Sequence, residues 1–182
     1  MITIDGGAGT ILHNGTDYKS GSVIQVQQGG SNTDSSSSVA SQATYDTGIQ
    51  VSITPSSASN KILIIATISG DTSAGINNFG MALQKKTGSG SFANITEANG
   101  EVEGNRFSTM SGAYGNSIYT CYGVHFNYMD TAGSTDTLIY RGVYFNSSSS
   151  TRTVSINKSH TDSNTYQYPR GSSWIQALEI VA

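Results

Sequence analysis

"GIQVSITPSSASNKILIIATISG", residues 48–70, holds two strand-forming runs around one break. In the first, Ile49, Val51 and Ile53 alternate with polar residues, the period of two that marks a strand with one buried face. The second, from Lys61, is apolar at every position from Ile62 to Ala66 and reads as an inner strand, apolar on both faces. Pro55, Ser56 and Ser57 lie between them, with Asn60 just before the second run. Proline cannot donate to a sheet ladder and suits a strand end, so the break reads as a connection between two strands.

The same grammar runs outward from this stretch. Helical spacing is not sustained over three turns anywhere, whereas period two is common. Strands are predicted at Ile2–Asp5, Val23–Gln28, Thr44–Tyr45 with Ile49–Thr54, Lys61–Ser69, Phe79–Thr87, Ile118–Met129, Thr137–Asn146, Arg152–Asn157 and Ser173–Val181. Turn-forming clusters separate them, among them "GGSNTDSSSS", "TPSSASN", "TGSGS" and "NSSSST". With 182 residues, enough for one core, the expectation is an all-β chain: an antiparallel β-sandwich, jelly-roll-like, over residues 21–182. Residues 1–20 form a short N-terminal strand-like arm. The arm's pieces, Ile2–Ile4 and Thr10–His13, are too short to fold alone. They are expected to pair with a neighbouring subunit or another protein, or to complete the chain's own sheet. Asn14-Gly15 is a hairpin-type dipeptide.

Two long segments carry more apolar surface than one sheet face can hide. In "IYTCYGVHFNYM", Tyr122, Val124, Phe126 and Tyr128 point to the core, while Cys121, His125 and Met129 share the other face, and Gly123 marks a bulge or bend. In "TLIYRGVYFN", Leu138, Tyr140 and Tyr144 lie on one face and Ile139, Val143 and Phe145 on the other. Each large apolar side chain left in water forgoes about 1.5–3 kcal/mol. The expectation is therefore a homo-oligomer whose subunits cover one another, with loops of the same chain as the alternative cover.

Charge narrows the function classes. Charged residues are 12% of the chain against roughly 25% in ordinary domains, and the net charge is −3. The nine Lys and Arg are scattered, which argues against a nucleic-acid surface. The longest apolar run falls far short of the roughly 20 residues of a membrane helix, so no membrane insertion is expected. "MITIDGGAGT" has neither the basic nor the apolar region of a secretory signal.

No residue is assigned to catalysis, a cofactor or a metal. His13, His125 and His160 are isolated in sequence. Glu101 and Glu103 share a strand face at a spacing that could suit two glycosidase carboxylates, but between glycines they read as a solvated turn. Asp130 and Asp136 bracket an oxygen-rich loop without the alternation of a calcium-binding hand. Cys121 reads as a small core hydrophobe, and the sequons at Asn94, Asn146 and Asn157 as chance. Tyr114, Tyr166 and Tyr168 lie in Gly/Ser/Asn loops whose composition suits carbohydrate or protein contact, with no receptor-binding residue assigned.

Three segments carry a family likeness. "GSVIQVQQG" from Gly21, "TYDTGIQVSITPSSASNKILIIATISG" from Thr44 and the closing "GSSWIQALEIVA" from Gly171 resemble a module of bacteriophage virion proteins, especially aquatic and cyanobacterial ones. "ITIDGGAGTILHNGT" is similar to strand-and-glycine openings of such proteins. The resemblance implies a β-sandwich working as a homotrimer on the virion surface, in a tail fibre or spike that adheres to the host. It implies no enzymatic activity and no cofactor. The partners implied are other virion proteins and a host surface glycan or protein. No coiled-coil shaft precedes the module here, which leaves capsid decoration as the alternative and a small polysaccharide depolymerase as the distant one.

Overall fold

The break at Pro55 carries the chain from one sheet to another. β5 (Thr44–Ile53) belongs to one sheet and β6 (Lys61–Thr72) to its opposite. The computed structural model describes residues 2–5, 10–13, 20–73, 77–101, 103–104, 107–115 and 119–182. Among them the chain is all-β, with antiparallel pairing throughout and no α-helix. The architecture is a sandwich of two sheets.

The first sheet is built around β6. On one side it pairs along most of its length with β10 (Tyr122–Thr131). On the other it pairs first with β13 (Ser173–Ile180), then, at its end, with β12 (Arg152–Ile156). β3 (Val23–Ser31) extends the sheet beyond β13, and β4 (Ser35–Val39) beyond β12. In the second sheet, β11 (Leu138–Phe145) lies between β5 and β7 (Asn77–Thr87), and β8 (Ala93–Asn94) and β9 (Ser111–Gly115) share the far edge of β7. The arm forms its own two-stranded sheet, β1 (Ile2–Asp5) against β2 (Thr10–His13). Its two pieces thus pair with each other, where a neighbour or the main sheet was expected. Asn14-Gly15 lies outside the described residues.

Alternation fixes the core. Ile49, Val51 and Ile53 from β5 face Ile62, Ile64 and Ile68 from β6, with Tyr140, Tyr144, Phe79 and Met81 between the layers. Packing there is tight: a Cβ on Gly142 would sit 2.1 Å from Ile68 Cδ1. At the β3 edge the layers converge, and a Cβ on Gly29 would sit 1.8 Å from the Gln50 carbonyl oxygen. Only glycine permits that approach.

Four local features differ from the sequence expectation. "SSSSV" is a strand, although serine runs favour turns. β4 is held by its ladder to β12 and by a 3.1 Å hydroxyl contact between Ser36 and Ser155. The Gly/Ser-rich β9 is likewise held by its pairing with β7. β10 starts at Tyr122 and passes Gly123 in register with Ser69, without a bulge; Ile118 lies outside the described residues. The irregularity is in β5 instead, where Arg141 pairs with Gln50 but Val143 with Asp46. Gly48 takes φ +74° there, and the Thr47 hydroxyl donates to the Gly142 carbonyl at 2.7 Å. This joins Thr44–Tyr45 and Ile49–Ile53 into one bulged strand.

The outer face of β11 is covered from within the chain, where a second subunit was expected. Phe107 stacks on Phe145 with ring centres 3.7 Å apart and planes within 9°. The Phe92 ring lies 3.6 Å beneath the Arg141 guanidinium. Arg141 is held in turn by Gln84 at 2.9 and 3.0 Å and by Asp46. Val143 is buried beneath this cover.

Candidate functional site

Among the described residues, the outer face of the first sheet has no such cover. Register places its side chains in rows across four strands, β3, β13, β6 and β10. One row reads Val26, Leu178, Leu63, Met129; the next Gln28, Gln176, Ile65, Asn127; the third Gly30, Trp174, Thr67, His125. These rows hold no Asp, Glu, Lys or Arg. Val26 is 57% exposed, Met129 46%, Ile65 42% and Trp174 41%. Gln176 donates to Gln28 at 2.7 Å, and Thr67 contacts His125 Nδ1 at 3.0 Å, so four polar members of the plate bond in pairs. A shallow hollow of about 300 Å³ lies among Gln28, Ile65, Thr67, Trp174 and Gln176.

Two carboxylates, Glu179 buried and Asp130 half-buried, hold this plate in place. Glu179, inward-facing on β13, accepts hydrogen bonds at Oε1 from the Ser56 backbone N–H, the Ser56 hydroxyl and Asn60 Nδ2, each at 2.7 Å. The connection after β5 is thereby clamped to the C-terminal strand. Asp130, on β10, crosses the sandwich. Its Oδ2 accepts from Lys85 Nζ of β7 and from the Tyr140 hydroxyl of β11, both at 2.7 Å. Lys85 also donates to the carbonyls of Thr131 and Ala132 at 3.2 and 3.3 Å. Burial first, and then the bond to Asp130, push the Tyr140 hydroxyl far above its ordinary range. A carboxylate already holding an ammonium and a phenol proton serves as a cross-link between sheets, not as a general base.

The structure separates the candidates raised by sequence. Asp136 is exposed, with its backbone N–H on the Ser134 hydroxyl, and Asp130 is engaged in the cross-link. Glu101 and Glu103 are exposed. His125 lies on the plate, His160 gives its backbone N–H to Asp71 at 3.0 Å, and His13 is in β2 of the arm. Burial pushes the Cys121 thiol up to about 11, the setting of an unreactive cysteine. Asn146 and Asn157 are buried. Among the described residues, no group of three His, Cys, Asp or Glu side chains could hold a metal ion, and no helix is long and apolar enough to cross a membrane.

Sequence reading missed Glu179, the anchoring role of Asp130, and a cluster of charges brought together by the fold. There Lys158 and Arg170 face Asp34 and Asp162. The Lys158 hydrogen bond, and the charges of Lys158 and Arg170, hold the Asp34 carboxyl below its ordinary value. Tyr168 stands beside this cluster and against Tyr119, with ring centres 5.7 Å apart. Loop composition marked Tyr168, but its ring partner Tyr119 comes from a segment distant in the sequence. No protein-family model and no curated protein matches the chain, so no relative lends it an activity.

Proposed function

We propose that this chain is a non-enzymatic surface protein of a bacteriophage virion, a homotrimeric tail fibre or spike-type component for host adhesion. The observation that carries the reading is the uncharged plate of β3, β13, β6 and β10. Interface cores are depleted of charge and enriched in Trp and Met, and contiguous exposed apolar surface marks contact with another molecule. The segments that resemble phage virion proteins form β3, β5, β6 and β13, and three of those four strands build the plate. In this reading copies of the chain cover one another's plates, and the loops at the sandwich ends meet the host.

The test is sedimentation at micromolar concentration, with an expected mass about three times the 19.1 kDa chain, followed by adsorption assays. The isolated protein should bind host cells and block phage adsorption. A strict monomer overturns the assembly. Binding to assembled capsids in place of cells identifies capsid decoration instead. Glycan cleavage that is lost in Glu101→Gln with Glu103→Gln overturns the non-enzymatic reading.

A further inference from the structure

We infer that the loop between Asn157 and Gly171 forms a binding cleft for a neutral saccharide, which deepens the adhesion part of the reading above. The base of this loop is fixed. Asn157, buried and at φ +63°, donates from its side chain to the carbonyls of Ser31 and Thr33 at 2.8 and 2.9 Å and accepts from the Ser173 hydroxyl at 2.6 Å. Lys158 and Arg170 bridge across the loop as an antiparallel pair. Arg170 donates to Asp34 at 2.6 Å and to Asp162 at 2.5 Å, and Lys158 lies 2.9 Å from Asp34 and 3.9 Å from Asp162. Four of the few charges in this chain thus secure one loop.

What the loop displays is aromatic and hydroxylated. Tyr166 is 97% exposed. Tyr168 and Tyr119 meet at 59°, forming a corner of two ring faces. Beside them a cleft of about 380 Å³ is lined by Asp162, Ser163, Asn164, Thr165, Tyr168 and Arg170. A rigid base presenting Tyr among Ser, Thr and Asn resembles an antibody paratope. Its tyrosines supply contact area at small entropic cost, and the short polar residues supply adaptable hydrogen bonds.

The ligand class follows from the balance of groups. Two cations already face two carboxylates, so the cleft has no spare positive charge for a phosphate or an acidic sugar. Its hydroxyls, amide, carboxylate and guanidinium together offer donors and acceptors side by side, which matches the vicinal hydroxyls of a sugar ring. The ring's C–H face then stacks on Tyr168 or Tyr166. An apolar ligand would leave those polar groups unpaired, at about 1–3 kcal/mol each.

Saturation-transfer NMR on the full chain tests this, with the methyl glycosides of glucose, galactose, mannose and N-acetylglucosamine as probes. N-acetylneuraminic acid and glucuronate form the anionic arm. At least one neutral glycoside should receive transfer, falling at least fivefold in Tyr168→Ala, in Tyr166→Ala or in both, and staying unchanged in Thr135→Ala, an exposed loop site outside the cleft and the plate. Tyr166 is so exposed that its loss leaves the fold intact. Absence of transfer to every neutral glycoside, transfer confined to the acids, or transfer that survives both tyrosine variants overturns the proposal. Blocking of adsorption is a separate readout: a protein that blocks adsorption without binding sugar refutes this cleft and leaves the virion reading standing.

Discussion

β11 and β6 sit at the centres of opposite sheets, and both carry apolar residues on both faces, yet among the described residues only β11 has its outer side covered. Over β11, Phe92 and Phe107 arrive from the segment between β7 and β9 and seal Val143 and Phe145. Over β6, Ile65 stays 42% exposed and Leu63 lies in a row that ends in exposed Val26 and Met129. Apolar residues on both faces therefore call for cover without naming its source. For β11 the cover comes from the aromatics of the segment between β7 and β9. Over β6, Val26, Ile65, Met129 and Trp174 stay exposed among the described residues.

Substitutions separate the two faces by the kind of effect each gives. The largest expected change belongs to neither face but to the link between sheets. Asp130→Ala strands the buried Tyr140 hydroxyl and leaves the Lys85 ammonium with only the Thr131 and Ala132 carbonyls, and should lower the unfolding free energy by about 1–3 kcal/mol, measured by urea titration. A loss below about 1 kcal/mol would mean that the sheets are held by apolar packing alone. Next is the sealed face, where Phe107→Ala removes a stacked ring from Phe145 and should cost about 2 kcal/mol. If this variant is as stable as the parent, the aromatic cover is decorative and the contrast collapses.

On the bare face the signature inverts. Val26→Lys with Met129→Lys should change subunit stability by about 0.5 kcal/mol or less per site. If the proposed assembly holds, the same pair should reduce the sedimenting mass to that of a single chain, because each charge would have to be buried without a partner. Retention of the assembled mass would place the contact elsewhere. The smallest effect concerns the saccharide loop. Asp34 is held below its ordinary 3.8, so its contribution to stability is present above that value and lost as the pH falls below it. Asp34→Asn should therefore lower the melting temperature slightly at pH 7 and by less at pH 2.5; an equal loss at both would assign the effect to packing.

Much of the fold was legible because strand chemistry is local. β5, β6, β7, β11, β12 and β13 all fall within a few residues of the alternating runs, and the Pro55 break is a connection as read. β4 was misread as a turn because its serines gain their partners only from β12, more than a hundred residues away. The candidate sites were less legible. Asp130 was noted for its neighbour Asp136, but its bonds run to Lys85 and Tyr140, brought together only when the sheets stack. The saccharide loop was marked by its tyrosines alone; Asp34 and Tyr119 reach it from other parts of the chain.

By itself the order of residues settled that this chain makes antiparallel sheets, where its principal strands run, and which side chains of each strand share a face. Those properties depend on φ/ψ preference and a period of two, both of which act over a few neighbouring residues. Tertiary structure alone decided which two-faced strand is sealed, which carboxylates become cross-links, and which face is left as a bare, uncharged plate. Those outcomes depend on backbone brought in from far along the chain, and no local pattern encodes what will lie against it.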